Sequence, residues 1–202
     1  MNQKRFKLIT TATFRTGKKA MTEPQDDLQI LPALALALVD RPRATLQELA
    51  KAVGVSKATL YRFCHTRNQL IKRLMGHSTA VFNQVLQASG LEDGPPLDAL
   101  KRLIAHNLEH RELTVFLIYY WWSDDSADFT SEANWQDTLD TFFLRGQQQG
   151  IFRIDIPAPA LTELWGSILV GLVDAERRGR VARVGLATLI EAAFLEGSLA
   201  KN

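Results

Sequence analysis

The 202-residue sequence predicts an all-α protein of about nine helices. Three observations carry that reading. Apolar residues recur at three- and four-residue spacing through most of the chain, the period of a helix with one buried face. No segment alternates apolar and polar residues for the length of a strand. Capping residues then mark three helix starts in quick succession, at Thr45, Ser56 and Thr66. Apolar residues make up 46% of the chain and charged residues 23%, enough apolar material for a core without disulfide staples.

The chain opens with six basic residues and no acid in its first twenty: Lys4, Arg5, Lys7, Arg15, Lys18 and Lys19. A transit peptide, a basic arm and a disordered extension ahead of Met21 all have this composition. The expected reading is a disordered basic extension over residues 1–24. The first helix is expected over Asp27–Val39, with Pro32 either starting or kinking it. That apolar run is too short to cross a bilayer, and no membrane partner is expected. Residues 40–44 form a loop. Thr45-Leu46-Gln47-Glu48 is a capping box, so a helix begins at Leu46 and runs to about Val53. Gly54 then turns the chain. Ser56 caps a helix over Lys57–Phe63, and Thr66-Arg67-Asn68-Gln69 opens a long helix to Ser89.

Asp93-Gly94-Pro95-Pro96 breaks the chain. Helical patterns resume at 97–109, 111–122, 131–149, 159–178 and 184–198. Ser123–Thr130 and Gly150–Ala158 are irregular links.

Two short, separately capped helices joined by a tight turn form the unit that lays a helix in the DNA major groove. Leu46, Leu49, Ala50 and Val53 supply its packing stripe, with Val55, Leu60 and Phe63 behind the second helix. The other face is suited to DNA. Lys57 can reach a guanine edge or a phosphate, Ala58 and the Thr59 methyl can touch thymine, and Arg62 can do either job. Thr45, Ser56, Tyr61 and Arg67 are assigned to phosphate positioning, at helix N-termini or through a long hydroxyl-bearing side chain. The charge distribution agrees. Residues 1–75 hold 14 Lys and Arg against 5 Asp and Glu, whereas residues 76–202 hold 10 against 17. A basic front half on an acidic back half fits a polyanionic partner.

The string Leu49-Ala50-Lys51-Ala52-Val53-Gly54-Val55-Ser56-Lys57-Ala58-Thr59-Leu60-Tyr61-Arg62-Phe63, continued by Thr66-Arg67 and Gln69-Leu70, closely resembles the DNA-binding signature of TetR-family regulators. Cys64 stands where the family usually has phenylalanine, and the 40–44 loop is shorter than usual and lacks its glycine. The resemblance implies a helix-turn-helix domain over residues 25–72 and a helical effector-binding and dimerisation domain over 73–202. It also implies a cytoplasmic homodimer that binds a palindromic operator in double-stranded DNA, as a repressor released by a small molecule. A two-fold dimer reads half-sites about 34–36 Å apart or a multiple of that. Gly150-Ile151-Phe152-Arg153-Ile154-Asp155 is similar to the family's link into its last two helices, which usually form the dimer interface. Here that interface would use Trp165, Ile168, Leu169, Leu172 and Val173 with Leu186, Leu189, Ile190, Ala193 and Phe194.

The aromatic run Phe116 to Trp122 is too dense for one helix face, because Tyr119 to Trp122 sweep roughly 300°. A pocket lined by Phe82, Phe116, Tyr119, Tyr120, Trp135, Phe142 and Trp165 would take an apolar or aromatic effector; plain core packing is the competing reading for each residue. His106 and His110 lie four apart, but no cysteine or dense carboxylate set joins them, so no metal or cofactor is expected. The lone Cys64 fits a reducing compartment. No glycine-rich phosphate loop, nucleophile elbow or paired Cys/His arrangement suggests an enzyme. The rival to the effector reading is a DNA-binding architectural or partner-controlled factor of the same fold.

Overall fold

The computed structural model describes residues 30–121 and 135–199. Among them the chain forms nine α-helices: α1 Leu31–Asp40, α2 Leu46–Ala52, α3 Lys57–Phe63, α4 Arg67–Ser89, α5 Pro96–Glu109, α6 Arg111–Trp121, α7 Trp135–Gln148, α8 Ala158–Arg177 and α9 Leu186–Ser198. No strand forms among these residues; one isolated antiparallel bridge pairs Phe152 with Leu199.

Pro32 sits in the first turn of α1, where its missing N–H has no helical partner to lose, so it starts the helix rather than kinking it. The expected start at Asp27 lies outside the described residues, as do 131–134 ahead of α7 and the 123–130 link. α9 starts two residues later than its apolar pattern suggests. Gly185 takes a left-handed conformation there, and Leu186 is the first inward side chain.

Helices α1–α3 pack on one another around Leu34, Leu38, Leu46, Leu49 and Leu60. α1 also lies along α6, and α4 packs on α5, α6 and α7. The 23 residues of α4 make it roughly 34 Å long, so one continuous rod runs from the helix-turn-helix into the larger helical body. The domain boundary expected near residue 72 falls inside this helix, and the buried side chains form a single cluster from Leu31 to Phe194.

The far end of the body is closed by rings. Phe143 meets Phe142, Phe152 and Phe194 at centroid distances of 5.0, 5.3 and 5.4 Å, and Phe194 meets Trp165 edge-on at 5.6 Å. Gly146 on α7 lets the Phe152 ring lie directly against the helix backbone. Gln147 then pins the irregular link by donating its amide to the carbonyls of Arg153 and Ile156, both at 2.7 Å. α8 has the length and apolarity to cross a membrane, but it packs against α6, α7 and α9 and buries Leu161, Trp165, Leu169 and Val173 inside the protein.

Candidate nucleic-acid interface and ligand cavity

The helix-turn-helix is built from the caps read in the sequence. The Thr45 hydroxyl accepts from the Glu48 amide at 3.3 Å, and the Glu48 carboxylate accepts from the Thr45 amide at 2.7 Å. The backbone bond from Thr45, then the one from its hydroxyl, holds the Glu48 carboxyl below its usual range. Gly54 turns the chain at φ 74°, a left-handed conformation that other residues rarely adopt. Ser56 accepts from the Thr59 amide at 3.0 Å and shares a 2.7 Å hydrogen bond with the Thr59 hydroxyl.

Lys57, Ala58, Tyr61 and Arg62 are exposed along one side of α3, with Thr59 half-buried beside them. Thr45 and Ser56 are exposed at the N-termini of α2 and α3. The Lys57 ammonium lies 5.3 Å from the centre of the Tyr61 ring, so the two side chains present together. Leu60 and Phe63 are buried on the opposite side.

Arg67 departs from its assigned role. Its guanidinium donates to the Pro42 carbonyl, and at 3.2 Å to the Tyr120 hydroxyl on α6. It ties α4 to the 41–44 loop and to α6 instead of extending towards a phosphate. The residue that sequence reading missed is Arg73. Its guanidinium stacks 3.7 Å from the centre of the Phe63 ring and donates to the Phe63 carbonyl at 2.6 Å. That contact fastens the C-terminal end of α3 onto α4. Cys64 fits this joint as the buried C-cap of α3, with its thiol 3.6 Å from the Leu60 carbonyl. Burial pushes the thiol pKa up, against the opposing pull of Arg73.

Behind α4 lies a cavity of about 690 Å³. Phe82, Tyr119, Trp135 and Trp165 supply aromatic walls, and Thr114, Thr162, Glu163, Ser167, Asp174 and Arg177 supply polar groups. Gly166 and Gly171 of α8 leave its α8 wall open. Tyr119 also lines a second cleft, shared with Arg41, Pro42, Arg43, Ala44 and Glu48. Three residues expected in the cavity lie elsewhere. Phe142 belongs to the ring cluster at the far end, Phe116 is fully buried against Tyr120 at 4.6 Å, and Tyr120 turns its hydroxyl to Arg67. Among the described residues no cluster of three metal-ligating side chains forms, and His106 pairs with Glu109 at 3.4 Å.

No family model matches the chain. It is 52% identical over 181 residues to the HTH-type transcriptional regulator NfxB of Pseudomonas aeruginosa, covering 88% of this chain and 97% of NfxB. The chain belongs to the TetR family of transcriptional regulators. The HTH-type transcriptional repressor LfrR of Mycolicibacterium smegmatis is 31% identical over 111 residues, 55% of this chain and 57% of LfrR. The fold matches the TetR-like LfrR crystallised with proflavine, with a TM-score of 0.62 and 20% identity over 88% of this chain and 98% of that one. It also matches the MbdR regulator from Azoarcus sp. CIB, with a TM-score of 0.64 and 16% identity over 84% and 97%.

Helices α8 and α9 each have an inward and an outward side. Trp165, Leu169 and Val173 of α8, with Leu186, Ile190 and Phe194 of α9, point inward and close the protomer. They are core residues and not the free dimer face that the family resemblance implied. The outward side carries Leu164 and Leu189, more than 40% exposed, with Ile168, Leu172 and Ala193 beside them.

Proposed function

We propose that this TetR-family regulator is a homodimeric repressor that reads a palindromic operator and is released by a small apolar or aromatic molecule. The assigned base-reading residues are Lys57, Ala58, Thr59 and Arg62, with Thr45, Ser56 and Tyr61 holding phosphates. The outward α8 and α9 side chains, Leu164, Ile168, Leu172, Leu189 and Ala193, form the dimer face. Such a regulator works in the cytoplasm, where its DNA is.

The observation that carries the ligand-controlled reading is the position of the cavity. Its Phe82 wall is on α4, the same rod whose other end holds the recognition helix through Arg73. A molecule seated there bears on the element that sets the orientation of α3. LfrR, which shares the fold, was crystallised with the aromatic molecule proflavine. Release requires the effector to bind the two conformations with different affinity.

The test is selection of bound duplexes from a random pool, followed by titration of the selected operator. A palindrome with a two-fold spacing is the expected product, and light scattering should return a dimer mass. Enrichment of no sequence would overturn the operator reading. An operator that binds well but ignores every aromatic molecule in a screened set would leave the DNA-binding factor without a small ligand.

A further inference from the structure

We propose that Arg177 is the residue through which the ligand cavity and the DNA-binding helices sense one another, by holding Asp174 and Asp40 at once. The inference rests on the cavity being the effector site.

Arg177 is the last residue of α8 and lines the cavity, as does Asp174 one turn earlier. Its Nε and Nη2 both donate to Asp174 Oδ1, at 3.0 and 2.7 Å. Its Nη1 donates across to the carboxylate of Asp40. Asp40 is the last residue of α1, and its neighbour Val39 is itself a cavity wall. One guanidinium therefore spans from a cavity carboxylate to the end of α1, the helix that leads into the helix-turn-helix. The guanidinium fork suits this, because its fixed donors point to the two carboxylates from different nitrogens. Arg178 supports the arrangement from outside by donating to the other oxygen of Asp174 at 2.7 Å.

What lies beyond Asp40 gives the bridge its reach. Residues 41–44 lead directly to Thr45, the N-cap of α2. The same loop is gripped a second time, because the Pro42 carbonyl accepts from Arg67, whose guanidinium also holds Tyr120. Tyr119, next to Tyr120, faces both the cavity and the cleft beside this loop. The entry to the helix-turn-helix is thus fixed at two points, each next to a cavity wall. A ligand that displaces α8, or that draws Asp174 or Arg177 towards itself, changes the hold on Asp40 without touching α3.

The pair contributes little to folding. The Asp40 side chain is 46% exposed, and ion pairs at such sites are worth little to stability. Breaking it should therefore remove communication and leave the fold. Asp40→Asn is the cleanest variant, since Asp40 does not line the cavity and the Arg177–Asp174 contact stays.

The experiment uses the full chain, the selected operator duplex and Nile red as a neutral aromatic cavity probe. Dye affinity is measured with and without operator, and operator affinity with and without dye. In the native chain each should weaken the other by the same factor, about tenfold. In Asp40→Asn both partners should still bind, with the factor falling towards one. Asp40→Glu should retain it, and Arg177→Lys, which puts one nitrogen in place of the separate Nε, Nη1 and Nη2 donors, should lose most of it. A native factor that survives in Asp40→Asn overturns the relay and leaves the effector reading standing. Absence of any coupling in the native chain, or dye binding indifferent to Trp165→Ala, overturns the effector reading and the relay with it.

Discussion

A single methyl group at position 146 should cost this protein about 2 kcal/mol, although it would improve the helix that carries it. A Cβ on Gly146 would lie 2.3 Å from Cδ2 and 2.4 Å from Cε2 of Phe152. Carbon atoms pack at about 3.5–4.0 Å, so the ring must withdraw by about 1.2 Å or more. It has nowhere to go. Phe152 is fully buried, and the rings of Phe143, Phe142 and Phe194 stand 5.3, 5.9 and 6.3 Å from it. Overpacking of a tight core costs about 1–3 kcal/mol, and a contact this short belongs at the upper end. Alanine returns about 1 kcal/mol of helix propensity. The net for Gly146→Ala is therefore a loss of about 2 kcal/mol. Urea unfolding followed by circular dichroism, at fixed protein concentration, should show a lower midpoint with an unchanged slope. Trimming the ring provides the internal check. Gly146→Ala combined with Phe152→Leu should lose less than the two single changes added together. A Gly146→Ala variant as stable as the parent, or additive losses in the double variant, would refute the packing argument.

Three further outcomes follow from the residues described. Lys57→Ala should weaken operator binding by about 1–3 kcal/mol and relax preference at one base pair, as read by gel-shift titration on matched and altered operators; unchanged affinity would remove Lys57 from the interface. Arg67→Ala should leave the dependence of affinity on salt unchanged, because its guanidinium is held by Pro42 and Tyr120; a slope reduced by about 0.9 would place it on a phosphate. Burial opposes ionisation of Asp174, but hydrogen bonds from Arg177 and Arg178 win and hold its carboxyl below the ordinary 3.8. The stability it contributes is present above that value and is lost as pH falls through the lower folded one. Asp174→Asn should thus flatten the fall of the unfolding midpoint below about pH 4, and a parallel curve would count against that assignment.

The parts of the molecule readable from sequence are those set by neighbours along the chain. Thr45, Ser56 and Thr66 bond to amides three residues on, so their caps are visible in four consecutive letters. Gly54 is equally local. Arg73 and Arg67 were not legible in the same way, because their partners Phe63 and Tyr120 lie 10 and 53 residues off. The Asp40–Arg177 pair spans 137 residues and left no local mark. The aromatic residues failed for a different reason. Helical period identifies which face of α7 turns inward, but Phe142 and Trp135 both satisfy it, and only the packing of neighbouring helices decides that Phe142 joins the closed ring cluster while Trp135, edge-on to Phe82, borders the cavity. On α8, apolar residues occur on both faces. Spacing alone therefore did not separate the inward Trp165, Leu169 and Val173 from the outward Leu164, Ile168 and Leu172.

The Arg73–Phe63 joint has a consequence for how this regulator can change over time. The joint grips the last residue of the recognition helix, whereas Lys57, Ala58 and Thr59 occupy its first turn. Attachment and three of the four proposed base-reading residues are thus placed at opposite ends of seven residues, with Arg62 alone beside the joint. Lys57 and Ala58, exposed and clear of the joint, can be exchanged without loosening the mount, and Thr59 can follow wherever Ser56 keeps its cap. New operator preferences are accordingly open to single substitutions that leave the cavity, the core and their linkage as they stand.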